Sequence, residues 1–215
     1  MQITPELLPD MILAAADAIE KNAEEITALD QAIGDGDHVI NLQRGIQALK
    51  TQRDELSRLD DWSAVWQKIG MTLMSSVGGA SGSLYGTLFV TMSKAARGRA
   101  LDLPAFADVF GQGVESVKQR GKADAGEKTM LDVLIPVAEC LRQSASNADA
   151  LLDVLEKIPD VAIAGMESTR DMLATKGRAS FLGERTLGHI DAGAKTMQLM
   201  ICALVAVLAK SATPS

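Results

Sequence analysis

The chain has 215 residues, 21 of them basic and 28 acidic, for a formal net charge of −7. That balance argues against bulk electrostatic binding to nucleic acid or to an anionic membrane. Length allows one domain or two with a sizeable core, and 47% hydrophobic residues excludes a disordered polymer.

Only seven residues are aromatic (four Phe, two Trp, one Tyr), while Ala, Leu and Met are abundant. Composition therefore favours helices over strands. Leu8, Ile12, Ala15, Ile19, Ala23 and Ile26 recur at steps of three and four, with Asp17, Glu20, Lys21 and Glu24 mostly off that face. This predicts an amphipathic helix over 5–29, with Pro5 in its first turn. Further helices are predicted near 38–53, 61–77, 82–97, 103–120 and 128–144, with Asp102 as N-cap of the fifth. The stretch 149–174 is helical in pattern but holds Pro159, so it is kinked or split. A last helix is predicted over 192–210, with a frayed tail after Lys210. No strand alternation, linker or repeat is visible.

Cys140 and Cys202 lie in apolar helical stretches and read as reduced core residues. Met71, Met74 and Met130 also read as core. The N-terminus opens with polar and acidic residues, unlike a signal peptide. The apolar run Met197–Ala209 is shorter than the ~18–20 residues that span a bilayer, so it reads as a buried helix. The expectation is a soluble cytoplasmic protein.

The links near 54–60, 98–102 and 145–148 are short and lack glycine clusters. Those at 30–37, 78–82, 121–127 and 175–191 are glycine-rich, and they are the first, third, fifth and seventh connections. In an up-and-down arrangement alternate connections share one end. All four would meet at one rim of a helical bundle and form one composite site.

Asp30, Asp35 and Asp37 place three carboxylates within eight residues, the last two alternating with glycines. Such carboxylates repel one another unless a cation sits among them, and hard oxygen ligands favour Mg²⁺ or Ca²⁺ over zinc. An Asp- and Gly-rich turn at a helix end is the plain alternative. The EF-hand pattern fails for want of the later glutamate. His38 and Asn41 follow where a helix begins, a place suited to phosphate or to simple capping. Gly78–Gly82 also precedes a helix; its small residues let backbone N–H groups approach an anion, or let helices pack closely. Gly121–Thr129 nearly mimics a P-loop, but Glu127 intervenes before Lys128-Thr129 and the segment follows a helix, so that reading is rejected. A glycine loop touching a base or ribose stays open. The last loop carries Lys176, Arg178, Arg185, His189, Asp191 and Gly193; its cations could offset polyphosphate charge or simply be solvated. Nothing suggests a zinc site or a Ser-His-Asp triad.

Taken together, Asp30…Gly34-Asp-Gly-Asp-His38…Asn41, Met71 to Gly82, Gly121 to Met130 and Lys176 to Arg185 resemble the dihydroxyacetone kinase family. The likeness is to its nucleotide-binding L subunit, or the matching domain of the fused kinases, and covers nearly the whole chain in order. It implies one domain over 1–215, all-α, an eight-helix antiparallel up-and-down barrel with nucleotide at one rim. By the same resemblance Asp30, Asp35 and Asp37 would hold two Mg²⁺ ions. His38, Val39, Ile40, Asn41, Gly79, Ala80 and Ser81 would line the phosphates and adjoining nucleotide, ADP or ATP. Gly121 and Met130 would lie by the nucleoside, and Arg178 with Asp191, Ala192 and Gly193 would close the site. Val39 stands where the family usually has glycine, and Asp191-Ala192-Gly193 where it has Asp-Pro-Gly.

The activity implied is phosphoryl transfer to dihydroxyacetone or a similar short-chain ketose, with no side-chain nucleophile. The sugar would sit on a separate K subunit. A phosphotransferase-system M subunit would rephosphorylate bound ADP; an ATP-exchanging kinase is the alternative. A Mg-nucleotide-dependent module binding a transcription regulator is the reading from another class. A homodimer is left open, and neither nucleic acid nor membrane is implied as partner.

Overall fold

The computed structural model describes residues 5–212. Nine α-helices occur among them: α1 (Leu8–Lys21), α2 (Ala23–Ile33), α3 (His38–Leu56), α4 (Trp62–Ser76), α5 (Gly79–Ala96), α6 (Leu103–Gly121), α7 (Leu131–Asn147), α8 (Leu151–Ser168) and α9 (Ala192–Ala212). Short 3₁₀ segments cover Pro5–Leu7, Thr169–Asp171 and Arg178–Thr186. No strand occurs among the described residues, so the all-α expectation holds.

Contacts run round a closed ring. Each of α3 to α8 packs on the next, α8 packs on α9, α9 on α1, and α1 on α3. Short connections between packed neighbours make successive helices antiparallel. The predicted first helix is interrupted at Asn22, and α1 and α2 run on nearly end to end, since little of one touches the other. The ring buries Ile19, Ile26, Leu42, Leu56, Val65, Val109, Leu134 and Val154. In α1 the buried alanine is Ala16, with Ala15 only half-buried, because Leu8, Ile12, Ala16 and Ile19 form the tighter stripe.

Several boundaries differ from expectation. Asp30 does not end the first helical stretch; α2 continues to Ile33 and stops at Gly34, whose N–H bonds back to the Asp30 carbonyl. A Cβ on Gly34 would stand 2.3 Å from Asp30 Oδ1, so only glycine fits that close turn. α5 begins at Gly79 and not at 82, drawing the glycine stretch into its first turn. α8 carries Pro159 without splitting. Asp102 caps α6 through the Ala105 N–H at 2.8 Å, as expected. Helix α9 continues to Ala212; the rest of the expected frayed tail lies outside the described residues.

Helix α9 has 21 residues and a mean hydropathy of 1.7 over its most apolar window, so by length and composition it could cross a membrane, contrary to the short-run reading. In the fold it lies between α1 and α8, with Leu199, Met200, Ile201, Cys202 and Leu208 packed on the core. Met130 is buried, whereas Met71 and Met74 are 56% and 42% exposed, against their core assignment. Met74 nonetheless lies against α5, where a Cβ on Gly86 would stand 2.1 Å from its Cγ. Cys140 and Cys202 are free and half-buried.

Candidate functional site

The four glycine-rich connections come together at one end of the ring. Asp30 lies in the last turn of α2, and Asp35 and Asp37 in the 34–37 turn that Gly36 permits with φ of +76°. One carboxylate oxygen from each of the three lies within 4.8 Å of the others. Asp30 Oδ2 also accepts the backbone N–H of His38 at 3.0 Å, which ties the acidic turn to the start of α3. Arg178, on the Arg178–Thr186 segment, forms an ion pair with Asp35.

His38 links three helix starts. Its Nε2 is 3.0 Å from Thr196 Oγ1 on α9, and its Nδ1 is 3.5 Å from Ser81 Oγ on α5. The single Thr196 hydroxyl proton goes to the Gly193 carbonyl at 3.0 Å. Thr196 must then accept from His38 Nε2–H, which leaves Nδ1 to accept from Ser81. Tyr85 OH stands 3.4 Å from the same Thr196 oxygen. Burial pulls the His38 imidazole below its ordinary pKa, overriding the opposing fields of Asp30, Asp37 and Asp35. The ring is thus a neutral orienting group. Burial pushes the Tyr85 phenol up to about 12, so it stays protonated and keeps its hydrogen to donate.

The remaining predicted residues fall around this centre. Ile40 is 58% exposed in the first turn of α3, while the Val39 side chain packs into the core, where helical backbone suits a β-branched residue. Asn41 is buried and accepts from Arg44; a Cβ on Gly78 would stand 2.4 Å from Asn41 Oδ1, so that glycine allows the approach. Gly79 has φ of +66° and nothing within 4 Å of where a Cβ would stand, so the start of α5 offers open backbone beside exposed Ala80 and half-buried Ser81. Gly121 ends α6 against Leu84. Met130 precedes α7, and its N lies 3.7 Å from where a Gly193 Cβ would be. Asp191 caps α9 through the Ala194 N–H at 2.8 Å. Ala192 is then the first helical residue, a position that proline also suits because an N–H there has no helical partner.

Of the last-loop cations, Lys176 pairs with Glu127 at 3.2 Å and Arg185 bonds locally to the Leu182 carbonyl. The His189 side chain is exposed; its carbonyl is what the protein uses, as acceptor for Lys128. Sequence reading missed Lys128, Asp132, Thr169 and Thr196. Asp132 is buried and holds the Gly126 and Thr129 N–H groups at 2.6 and 2.7 Å. A mid-helix threonine carries no visible signal, but an acid two residues past Met130, in the first turn of α7, could have been read as holding the loop before it.

Burial raises the Asp191 carboxyl to about 6, against the lowering effects of the Ala194 N–H and Lys128. The folded state therefore binds this proton more tightly than the unfolded chain, and the stabilisation is full below the unfolded value near 3.8 and lost as pH rises through about 6. Asp191→Asn keeps the cap and removes the titration. Urea midpoints between pH 4 and 7 should fall less steeply for the variant than for the parent; parallel curves would assign the pH dependence elsewhere.

Chemically, the arrangement joins opposites. The starts of α3, α5 and α9 bring unpaired N–H groups and positive dipole ends to the place where three carboxylates converge. Hard carboxylate oxygens fit Mg²⁺, and open backbone at a helix start fits phosphate oxygens.

Comparison with known proteins identifies the family. Residues 32–206 match the DAK2 domain family model. The chain is 44% identical over 187 residues to the PEP-dependent dihydroxyacetone kinase 1, ADP-binding subunit DhaL of Listeria innocua, covering 87% of this chain and 88% of that one. It is 38% identical over 202 residues to the PEP-dependent dihydroxyacetone kinase, ADP-binding subunit DhaL of Escherichia coli, covering 94% and 96%. In fold it matches the crystal structure of the dihydroxyacetone kinase of C. freundii in complex with AMP-PNP and Mg²⁺, with a TM-score of 0.72 at 22% identity, over 98% of this chain and 35% of that one. The chain belongs to the DAK2 family, and within it to the nucleotide-binding L subunits of dihydroxyacetone kinases. These are subunits of a phosphotransferase.

Proposed function

We propose that residues 1–215 act as one ADP- and Mg²⁺-binding domain of a cytoplasmic dihydroxyacetone kinase. The phosphoryl group passes to dihydroxyacetone, or a similar short-chain ketose, held on a separate K subunit. A phosphotransferase-system M subunit restores it. The observation that carries this reading is the convergence of three carboxylates with three helix starts, which suits a metal bound to a polyphosphate.

Asp30, Asp35 and Asp37 would hold the two Mg²⁺ ions, which when bound neutralise phosphate charge. The turn from His38 to Asn41 and the backbone from Gly79 to Ser81 would line the phosphates; the His38 and Asn41 N–H groups are held by Asp30 and Asp37, so the donors in the first turn of α3 would be those of Val39 and Ile40. Gly121 and Met130 flank the nucleoside. Arg178, 70% exposed and paired with Asp35, brings a positive charge to the rim beside the phosphates. Asp191, Ala192 and Gly193 close the site beside Met130. The protein contributes position and electrostatics; none of its side chains needs to bond the phosphoryl group.

The test is to acid-denature freshly purified protein and quantify released nucleotide by chromatography. Near-stoichiometric ADP supports the proposal and directs the search to a phosphoprotein donor. No retained nucleotide, with ready binding of added Mg-ATP, overturns the retained-cofactor part in favour of an exchanging kinase. Neither retention nor binding overturns the nucleotide reading.

A further inference from the structure

Lys128 is a buried lysine that the site chemistry above does not use. It is 2% exposed and adopts φ of +60°, a left-handed conformation that costs a non-glycine residue free energy. Its ammonium donates to the backbone carbonyls of Thr169, at 2.5 Å, and His189. Burying an ammonium is expensive and is tolerated only when its hydrogens are satisfied. Strain and desolvation are thus both borne to join two segments far apart in sequence.

The loop that carries Lys128 and the connection it bonds lead to two neighbouring parts of the site. The 122–130 loop runs into Met130. Thr169 Oγ1 accepts the Asp191 N–H at 3.1 Å, and Arg170 O accepts the Gly188 N–H at 2.8 Å, so the turn at 169–171 and the run into α9 move as one piece. Gly193, in the first turn of α9, lies beside Met130, 3.7 Å separating Met130 N from where a Gly193 Cβ would stand. The negative field of Asp191 acts on Lys128 as well, although burial dominates and draws the ammonium below its ordinary pKa.

We infer that Lys128 is a positioning residue for nucleotide binding, clamping the loop before Met130 to the connection that ends at Asp191, and so setting the width of the nucleoside side of the site. This rests on the nucleotide reading given above. The acidic triad and the starts of α3 and α5 receive no bond from Lys128, so the clamp acts directly on the nucleoside side and reaches the phosphate side only through α9 and the Thr196–His38 bond.

The experiment compares two probes on the full-length protein, Mg-ADP and Mg-pyrophosphate, by calorimetry after stripping bound nucleotide. Lys128→Met fills the space without donors. Mg-ADP affinity should drop about tenfold or more, the scale on which supporting contacts act, while Mg-pyrophosphate affinity stays within about twofold. Loss of both together would mark Lys128 as merely structural and overturn the inference, as would unchanged ADP affinity. If the parent protein binds neither probe, it is the nucleotide reading that fails. Should Lys128→Met not fold, hydrogen exchange on the parent decides: ADP, but not pyrophosphate, should protect 122–130 and 187–193 together, and separate responses would overturn the clamp.

Discussion

Asp35→Asn is expected to abolish Mg-nucleotide binding while leaving the helical fold intact. Asp35 sits on the outer side of the triad, exposed, in a turn between α2 and α3, and supports no core contact. Its protein partner is the guanidinium of Arg178, itself largely exposed, and such surface pairs contribute about 1 kcal/mol at most. The carboxylate's value lies in its negative charge among three oxygens that can reach one cation. Replacing it with an amide keeps the shape and removes a hard anionic ligand. Affinity for Mg-ADP should fall by at least about 100-fold, the upper end of what losing even an outer supporting group costs a metal site. Calorimetric titration with Mg-ADP, beside a far-UV spectrum, checks both halves. Unchanged binding would remove Asp35 from the metal set.

Asp132→Ala should produce the largest loss of stability among the site's supporting residues. This buried carboxylate accepts two backbone N–H groups of the 122–130 loop, and its own backbone lies where α8 crosses so closely that a Cβ on Gly165 would meet the Asp132 carbonyl at 2.3 Å. Losing two charge-assisted hydrogen bonds from a buried acceptor costs about 3 kcal/mol, a fall in Tm of roughly 10 °C for a chain this size. The loop that carries Lys128 and Met130 would lose its anchor, so retained nucleotide should fall as well. Asp132→Asn, which keeps one acceptor, should recover part of both. A Tm within about 2 °C of the parent would show that the loop holds itself by other means.

The helices were legible because their apolar residues repeat every three to four positions, and the shared rim followed from the alternation of glycine-rich and plain links. Breaks were harder to see. Asn22 interrupts a stripe that stays in phase from Leu8 to Ile26, so nothing in the spacing betrays it. Gly79 to Ser81 look like a loop, yet a helix start costs glycine little and α5 takes them in. The triad could be read because acids crowded in sequence must be reconciled in space. Lys128 could not, because composition places a lysine in solvent; only the fold reveals two carbonyls, contributed 41 and 61 residues away, waiting for its hydrogens. His189 and Thr196 mislead in the same way. One looks functional by its ring and serves by its carbonyl, and the other looks like filler and holds His38 in place.

The antiparallel pairing of α1 with α9 has a further consequence. α1 leads up towards the acidic turn and α9 leads down from Asp191, so the described ends of the chain, Pro5 and Ala212, emerge side by side on the rim opposite the site. A second polypeptide tethered at either end hangs below the ring and leaves the upper face clear. The same geometry makes the protein a natural candidate for circular permutation. A short tether from one end to the other, with new ends cut in the 97–102 connection, would leave all four site loops uncut.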